Sequence, residues 1–315
     1  SAILRNQTTC CTYELNPRTT LRSSKSTRGL AFMGLALIGG GCFALPYQHA
    51  LNTLEPLTAV YGVFIWALLF SAPGAWALRR NTRFSPKVAL LLIAISLSGV
   101  LGNFAVCTAL QGGSPTLVII VSRIEIVLAL LLGWGLLREV VAPKVWVAVG
   151  IMLLGITLIR HDSLSIEDGS GGFVLWALIT AFSFALMQVL SKLIISQIDP
   201  QALNVCRLMI ALAVLSVVPG MLGQVQAIPL ATWGWLGLAA FFGPFLGRVA
   251  YTYALRDLTI AKAMTIGTFA PVLTLLLEYL LFGRVLRWFE LSGGALVMSG
   301  ILLSFLRLSF FRRQF

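Results

Sequence analysis

Charge is what this sequence has least of. Only 11% of its 315 residues are Asp, Glu, Lys or Arg, against about 25% in soluble domains. The chain therefore has too little polar surface to cover a water-soluble globule, and that class is excluded. Histidine is scarcer still. His49 and His161 are the only two, which excludes a His-rich metal site, and neither lies in the H-E-x-x-H pattern that zinc proteolysis requires. No Walker A loop is present, so the sequence carries no such motif for ATP-driven pumping. The five cysteines, Cys10, Cys11, Cys42, Cys107 and Cys206, follow neither a metal-ligand nor a disulfide-framework spacing. The last three read as small apolar residues within helices. The sequence thus offers no catalytic or metal-binding constellation and no cofactor motif, and an enzyme is not expected.

Apolar residues make up what remains: 58% of the chain is hydrophobic. The 23 residues between Glu55 and Arg79 carry no charge. As a helix they span about 35 Å, enough for a hydrocarbon core of ~30 Å. A second uncharged stretch runs from Gly169 to Ser191. Basic residues outnumber acidic ones by 23 to 11. They flank apolar segments instead of forming a patch, so the partner they imply is a lipid bilayer and not nucleic acid.

Charges, prolines and glycines divide the chain into ten predicted transmembrane helices. They fall near residues 29–47, 56–78, 88–110, 116–137, 144–160, 172–195, 200–220, 232–254, 260–281 and 288–307. Residues 1–28 differ in kind, with ten Ser or Thr, five Lys or Arg, and Glu14 as the one acid. Organellar transit peptides share this composition with disordered basic tails. A disordered cytoplasmic tail is expected, with a second basic tail at residues 308–315.

Lys and Arg counts set the orientation. With a cytoplasmic N-terminus, 17 fall on the cytoplasmic side, and Arg160, Arg284 and Arg287 fall opposite. Both termini are then cytoplasmic, in a membrane expected to be the bacterial inner (plasma) membrane.

The order of the helices contains a repeat. Leu101 to Leu110 read LGNFAVCTAL, and 145 positions later Leu246 to Leu255 read LGRVAYTYAL. The same offset superposes Gly155 on Gly300. The sequence therefore predicts an all-α integral membrane protein of two five-helix repeats, residues 29–160 and 172–307. An odd number of helices per repeat inverts the second copy, the plan of many secondary transporters, whose site lies at the midplane where the repeats meet.

Five charges remain inside predicted spans: Arg123, Arg207, Arg248, Glu125 and Glu278. A charge at that depth costs about 2.5 to 3.5 kcal/mol on the mildest scale, so it should face a cavity or a partner. Arg123 and Glu125, two apart on a regular helix, lie roughly 200° around and are not expected to pair. Glu125 is expected to meet Arg207 or Arg248, and Arg123 to approach Glu278. The central group would carry one excess positive charge, suited to a carboxylate or another anion. Structural ion pairing and snorkelling of Arg207 are the plain alternatives. Asn103, the repeat counterpart of Arg248, joins the candidates. Aromatic candidates for stacking on a ligand are Tyr61, Trp66, Trp176, Phe184, Tyr251 and Phe269, each of which could instead pack or face lipid. Gly39, Gly40, Gly41 and Pro46 weaken the first helix. Gly243 and Gly247 around Pro244, and Gly267 with Pro271, mark a close approach or a hinge in the eighth and ninth.

These features resemble the EamA branch of the drug/metabolite transporter superfamily. The resemblance rests on two five-helix repeats with L-G-x-x-A-x-x-x-A-L at Leu101 and Leu246, on Leu137-Arg138-Glu139 after the fourth helix, and on glycines at Gly150 to Gly155 and near Gly300. It implies a ten-helix bundle with a cavity built mainly from helices one to four and six to nine, while helices five and ten form scaffold. Arg207 matches an arginine of the family's second repeat helix, where the first repeat has Gly62. Glu139 matches a glutamate that the second repeat replaces with Arg284. The expected activity is secondary transport, as an exporter, of a small zwitterionic or anionic metabolite such as an amino acid or an amino-acid-derived metallophore, by alternating access. The substrate would be held by Arg248, Arg207, Arg123, Asn103, Tyr251, Trp66 and Tyr61, with Glu125 also the candidate for proton coupling. A nucleotide-sugar or phosphate-ester exchanger is the alternative within transport; an intramembrane enzyme or a channel is the alternative outside it.

Overall fold

The computed structural model describes residues 17–74, 85–137, 143–163, 172–195, 197–258, 263, 266–267, 269–283 and 287–305. The second basic tail, Arg138, Glu139 and Arg284 lie outside these residues. The protein is an all-helical membrane protein. Helix one runs over Pro17–Cys42 and, after a bend at Phe43, Ala44–Leu51; helix two covers Pro56–Ser71 and helix three Pro86–Gly112. Helix four is split into Pro115–Ser122 and Glu125–Leu137, and helix five covers Pro143–Ser163. In the second repeat, helix six covers Gly172–Ile194, helix seven Pro200–Ser216, and helix eight Leu230–Ala240, a wide turn Phe241–Gly247 and Arg248–Asp257. Helix nine is described over Ala270–Phe282 and helix ten over Trp288–Phe305. Among the described residues six spans are long and apolar enough to cross a membrane, and Trp146–Leu158, Pro200–Ser216, Ala270–Phe282 and Trp288–Leu303 are shorter apolar helices.

Local chemistry explains several starts. Pro56, Pro86, Pro115 and Pro200 each occupy a first helical position, where a missing N–H is harmless and the fixed φ suits the turn. The preceding Ser85, Ser114 and Asp199 cap their helices by accepting from Val88 N at 3.3 Å, Leu117 N at 3.3 Å and Gln201 N at 2.9 Å. One start differs from expectation. Helix one begins at Pro17, inside the segment that composition places in the disordered tail. Ser, Thr and Lys do not break a helix that is nucleated by the apolar span after it.

Side chains such as Leu90, Leu154, Val217 and Leu230 stand exposed on the outside, as a lipid-facing surface requires. Tyr47, Phe64, Leu110, Met187, Leu208 and Leu236 fill the interior. The two repeats meet with reciprocal contacts. A methyl group on Gly155 would come within 2.7 Å of the Gly293 carbonyl and 2.9 Å of Val297, while one on Gly300 would come within 2.9 Å of the Ala148 carbonyl and 2.6 Å of Met152. These four partners map onto each other at the repeat offset, so helices five and ten cross about a local twofold.

The same relation links two further crossings, with one difference. Helix eight crosses helix one backbone to backbone at Gly247 and Gly39. A methyl on Gly39 would lie 2.5 Å from the Phe242 carbonyl oxygen and 2.6 Å from Gly247 Cα. Helix three crosses helix six at the equivalent Gly102, but there the counterpart of Gly39 is Phe184. Its ring fills the space, 2.5 Å from where a methyl on Gly102 would sit.

At one end of the bundle, Arg28 faces Asp257 at 3.7 Å and Arg256 faces Asp199 at 3.5 Å. These pairs are partly exposed, so each contributes at most about 1 kcal/mol.

A cavity of arginines between the repeats

The core contains a partly open cavity of about 140 Å³ lined from helices one, three, four, six, seven, eight and nine. Its position follows from interruptions in the spans. Pro244 has no N–H to donate and its ring would crowd a regular α turn, so Phe241–Gly247 widens into π geometry. Arg248 begins the α-helix that follows. In helix four, regular bonding gives way to i→i+3 bonds, Ile124 N to Val121 O at 3.2 Å and Ile126 N to Arg123 O at 3.1 Å. Helix one bends at Phe43, directly after its glycine run.

The split in helix four overturns one expectation. Arg123 Nη1 reaches Glu125 Oε1 at 3.3 Å, although the two residues are only two apart. The angular rule holds for a regular helix. Here the chain tightens between them, and the long arginine side chain folds back against helix one, where a methyl on Gly40 would be 3.6 Å from its Nη2. Neither Pro nor Gly announces this break in the sequence.

Glu278 also lies elsewhere than expected. It is 3% exposed and accepts from Thr116 N at 3.0 Å and from the Thr116 hydroxyl. A carboxylate at the start of helix four satisfies a free N–H and meets the positive end of the helix dipole. Glu278→Gln should lower the stability of the purified protein by about 1 to 3 kcal/mol. Thr116→Val should do so by less, because it keeps the backbone bond. Equal melting temperatures for Glu278→Gln and the parent would remove this assignment.

Arg248 projects over the Phe184 ring at 5.3 Å. Among the described residues it has no ion pair and its guanidinium makes no hydrogen bond. Arg207 is 4% exposed, donates Nη2 to Asn204 Oδ1 at 2.7 Å and directs Nη1 at Met187 sulfur at 3.7 Å. Asn204 is in turn oriented by donating to Ser71 Oγ at 3.0 Å. Glu125 is therefore paired with Arg123, and not with Arg207 or Arg248 as expected, although its charge is felt at Arg248. Tyr251 donates to Gln188 Oε1 at 3.0 Å, and both border the cavity. Asn103 also borders it, donating to the Gly99 carbonyl at 2.8 Å. Arg123, Glu125, Arg207, Arg248, Asn103 and Tyr251 thus share one cavity. Among the described residues it holds three guanidiniums and a single carboxylate, a larger positive excess than the sequence reading allowed.

Comparison with known proteins agrees with this architecture. The EamA-like transporter family model matches the chain twice, over residues 27–160 and again over 172–306. The chain belongs to the EamA-like transporter family. An uncharacterized transporter of Archaeoglobus fulgidus is 25% identical to this EamA-like transporter over 172 residues. That match takes in 54% of the chain and 59% of the archaeal protein, so the chain spans little more than half the length of that relative. A solved crystal structure superposes with a TM-score of 0.59 over 90% of this chain and 96% of its own, at 17% identity, a likeness of fold alone.

Within this EamA-like transporter, two expected site residues lie away from the cavity. Tyr61 hydroxyl bonds Ser216 Oγ at 2.8 Å, tying helix two to helix seven. Trp66 stacks on Phe70 at 5.6 Å and lies over Gly237. Helix two faces its neighbours and not the lumen, so it supplies Ser71 behind Arg207 instead of cavity aromatics. Of the other aromatic candidates, Trp176 packs edge-on against Phe104 and Phe269 is exposed; only Phe184 and Tyr251 reach the cavity. Ser122, Thr180 and Gln188 also line it, and sequence reasoning passed over them. Neutral polar residues are common in membrane helices, bonding back to the preceding turn, so they carry no signal comparable with a charge.

Proposed function

We propose that this EamA-like transporter exports a small zwitterionic or anionic metabolite by alternating access, with the cavity arginines as the anion-binding groups. The observation that carries the reading is Arg248. Its guanidinium borders a cavity at the repeat interface, rests on an aromatic face, and has no acidic or hydrogen-bonding partner among the described residues. A planar fork held this way is suited to a carboxylate or a phosphate. Asn103, Gln188 and Tyr251 add neutral polar edges. The positive-inside distribution supports cytoplasmic termini in a plasma membrane. At about 140 Å³ the cavity is small beside ordinary ligand pockets, which favours a small metabolite over a nucleotide sugar.

Counterflow in proteoliposomes tests the reading. Saturable uptake of a labelled metabolite, accelerated by unlabelled metabolite inside, is the expected result; a linear flux without trans-stimulation would mean a channel.

Glu125 is the cavity's one carboxylate among the described residues and the candidate for proton coupling. Glu125→Gln should remove the acceleration that an imposed proton gradient gives the parent, because the site can no longer exchange a proton. A variant that the gradient accelerates as much as the parent would assign the coupling elsewhere.

A further inference from the structure

The charge of the substrate can be drawn from the cavity's own balance, given the transport reading above. Arg123 and Glu125 neutralise one another at 3.3 Å. Arg207 and Arg248 are left. Among the described residues Arg207 bonds only the neutral Asn204 and Met187, and its Nε is buried without a partner. Arg248 has an aromatic face and nothing anionic in contact. Both arginines border the same space. Paired acids normally accompany buried arginines, since a lone charge in this setting is strongly unfavourable. Here the one acid that lines the cavity among the described residues, Glu125, is already paired with Arg123.

Arg207 is nevertheless held for use. Ser71 orients Asn204, and Asn204 fixes the guanidinium from behind. Helix three presents Gly99 to its Nη1, which stands 3.3 Å from where a methyl group would be. Two helices therefore stiffen a cation that has no ion pair among the described residues.

We infer that the substrate is a small dianion whose two negative charges are shared by Arg207 and Arg248. It is a short dicarboxylate or a small skeleton bearing one phosphate. Such a ligand neutralises the charge of the described cavity residues. A monoanion leaves one positive charge uncompensated, and an amino-acid zwitterion leaves two. Size also favours a small ligand, because the cavity measures about 140 Å³.

The test compares ligands that differ in one charge and hardly in shape. Full-length protein in proteoliposomes at pH 7.5 and fixed ionic strength is assayed by counterflow with succinate, its monomethyl ester, glycerol 3-phosphate, glycerol and alanine. Succinate or glycerol 3-phosphate should show a KM at least about tenfold below that of the half-ester, and whichever of the two leads identifies carboxylate or phosphate chemistry. Arg207→Gln and Arg248→Gln should each bring the ratio of dianion to half-ester close to one. Arg207→Lys and Arg248→Lys, which keep the charge, should retain most of the preference. Should a Gln variant fail to fold, the Lys variants and the parent ligand series still decide. Alanine or the half-ester exchanging as well as the dianions overturns the dianion assignment and leaves the transporter reading intact. Absence of saturable exchange for all five compounds overturns both.

Discussion

Arg248→Ala is expected to slow substrate counterflow by roughly ten- to a hundredfold, the equivalent of losing a charge-assisted hydrogen-bonding group worth about 1.5 to 3 kcal/mol. Arg248→Lys should fall between, since the ammonium keeps the charge and loses the planar fork. The apo protein should respond in the opposite sense. The Arg248 guanidinium contacts the Phe184 ring and has no ion pair among the described residues, so its removal relieves an uncompensated charge. The unliganded melting temperature of Arg248→Ala should therefore equal or exceed that of the parent. Ligand-induced stabilisation should disappear. Unchanged counterflow together with an unchanged ligand-induced shift would show that the anion binds elsewhere. The structure supports this division of effects because Arg248 follows the π segment at Phe241–Gly247. That segment sets the rotation of the next helix and directs the side chain inward.

Gly39→Ala is expected to have the largest effect on folding. The added methyl would meet the Phe242 carbonyl oxygen at 2.5 Å and the Gly247 backbone at 2.6 Å. Backbone atoms cannot move aside as a side chain can, so helices one and eight must separate. Overpacking of this kind costs about 1 to 3 kcal/mol, and more when no side chain can yield. Gly34→Ala on the same helix supplies the contrast, because nothing lies within 4 Å of its added methyl. It should be neutral, or stabilising by up to about 1 kcal/mol through reduced chain entropy. Thermal unfolding of the two variants in one detergent measures the difference. Equal melting temperatures would mean that the helices cross elsewhere. A Gly39→Ala protein that retains its fold should also transport slowly, since this crossing joins the repeats beside Arg248.

Much of this was legible in the chain. The membrane class follows from scarce charge and long apolar runs. Helix starts were accurate where Pro follows Ser, Asp or Glu, because that chemistry is local. The repeat was visible because both copies kept the Leu, Gly and Ala that pack helices three and eight. Arg123, Glu125, Arg207 and Arg248 could be singled out because a charge inside a span needs a reason.

Their partners could not be read. The separation of Arg123 from Glu125 assumed an unbroken helix, and tertiary packing breaks helix four at a place with no Pro or Gly. Glu278 was placed near Arg123 by repeat equivalence, whereas the packing of helix nine on the start of helix four turns it toward Thr116. Tyr61 and Trp66 lie away from the cavity, which the sequence could not tell because an aromatic side chain reads the same whether it faces a lumen or a neighbouring helix.

The sequence by itself determined the membrane, the doubled five-helix plan and the small set of charges that the membrane would not tolerate idle. These depend on composition and on local spacing. Only the tertiary structure decided that Glu125 compensates Arg123 and that Arg207 and Arg248 are left facing one cavity. Which charges neutralise each other depends on helices far apart in the chain, brought together where glycines let their backbones touch. At one crossing that contact is Gly39 against Gly247. At its counterpart the glycine has become Phe184, and Arg248 lies over its ring.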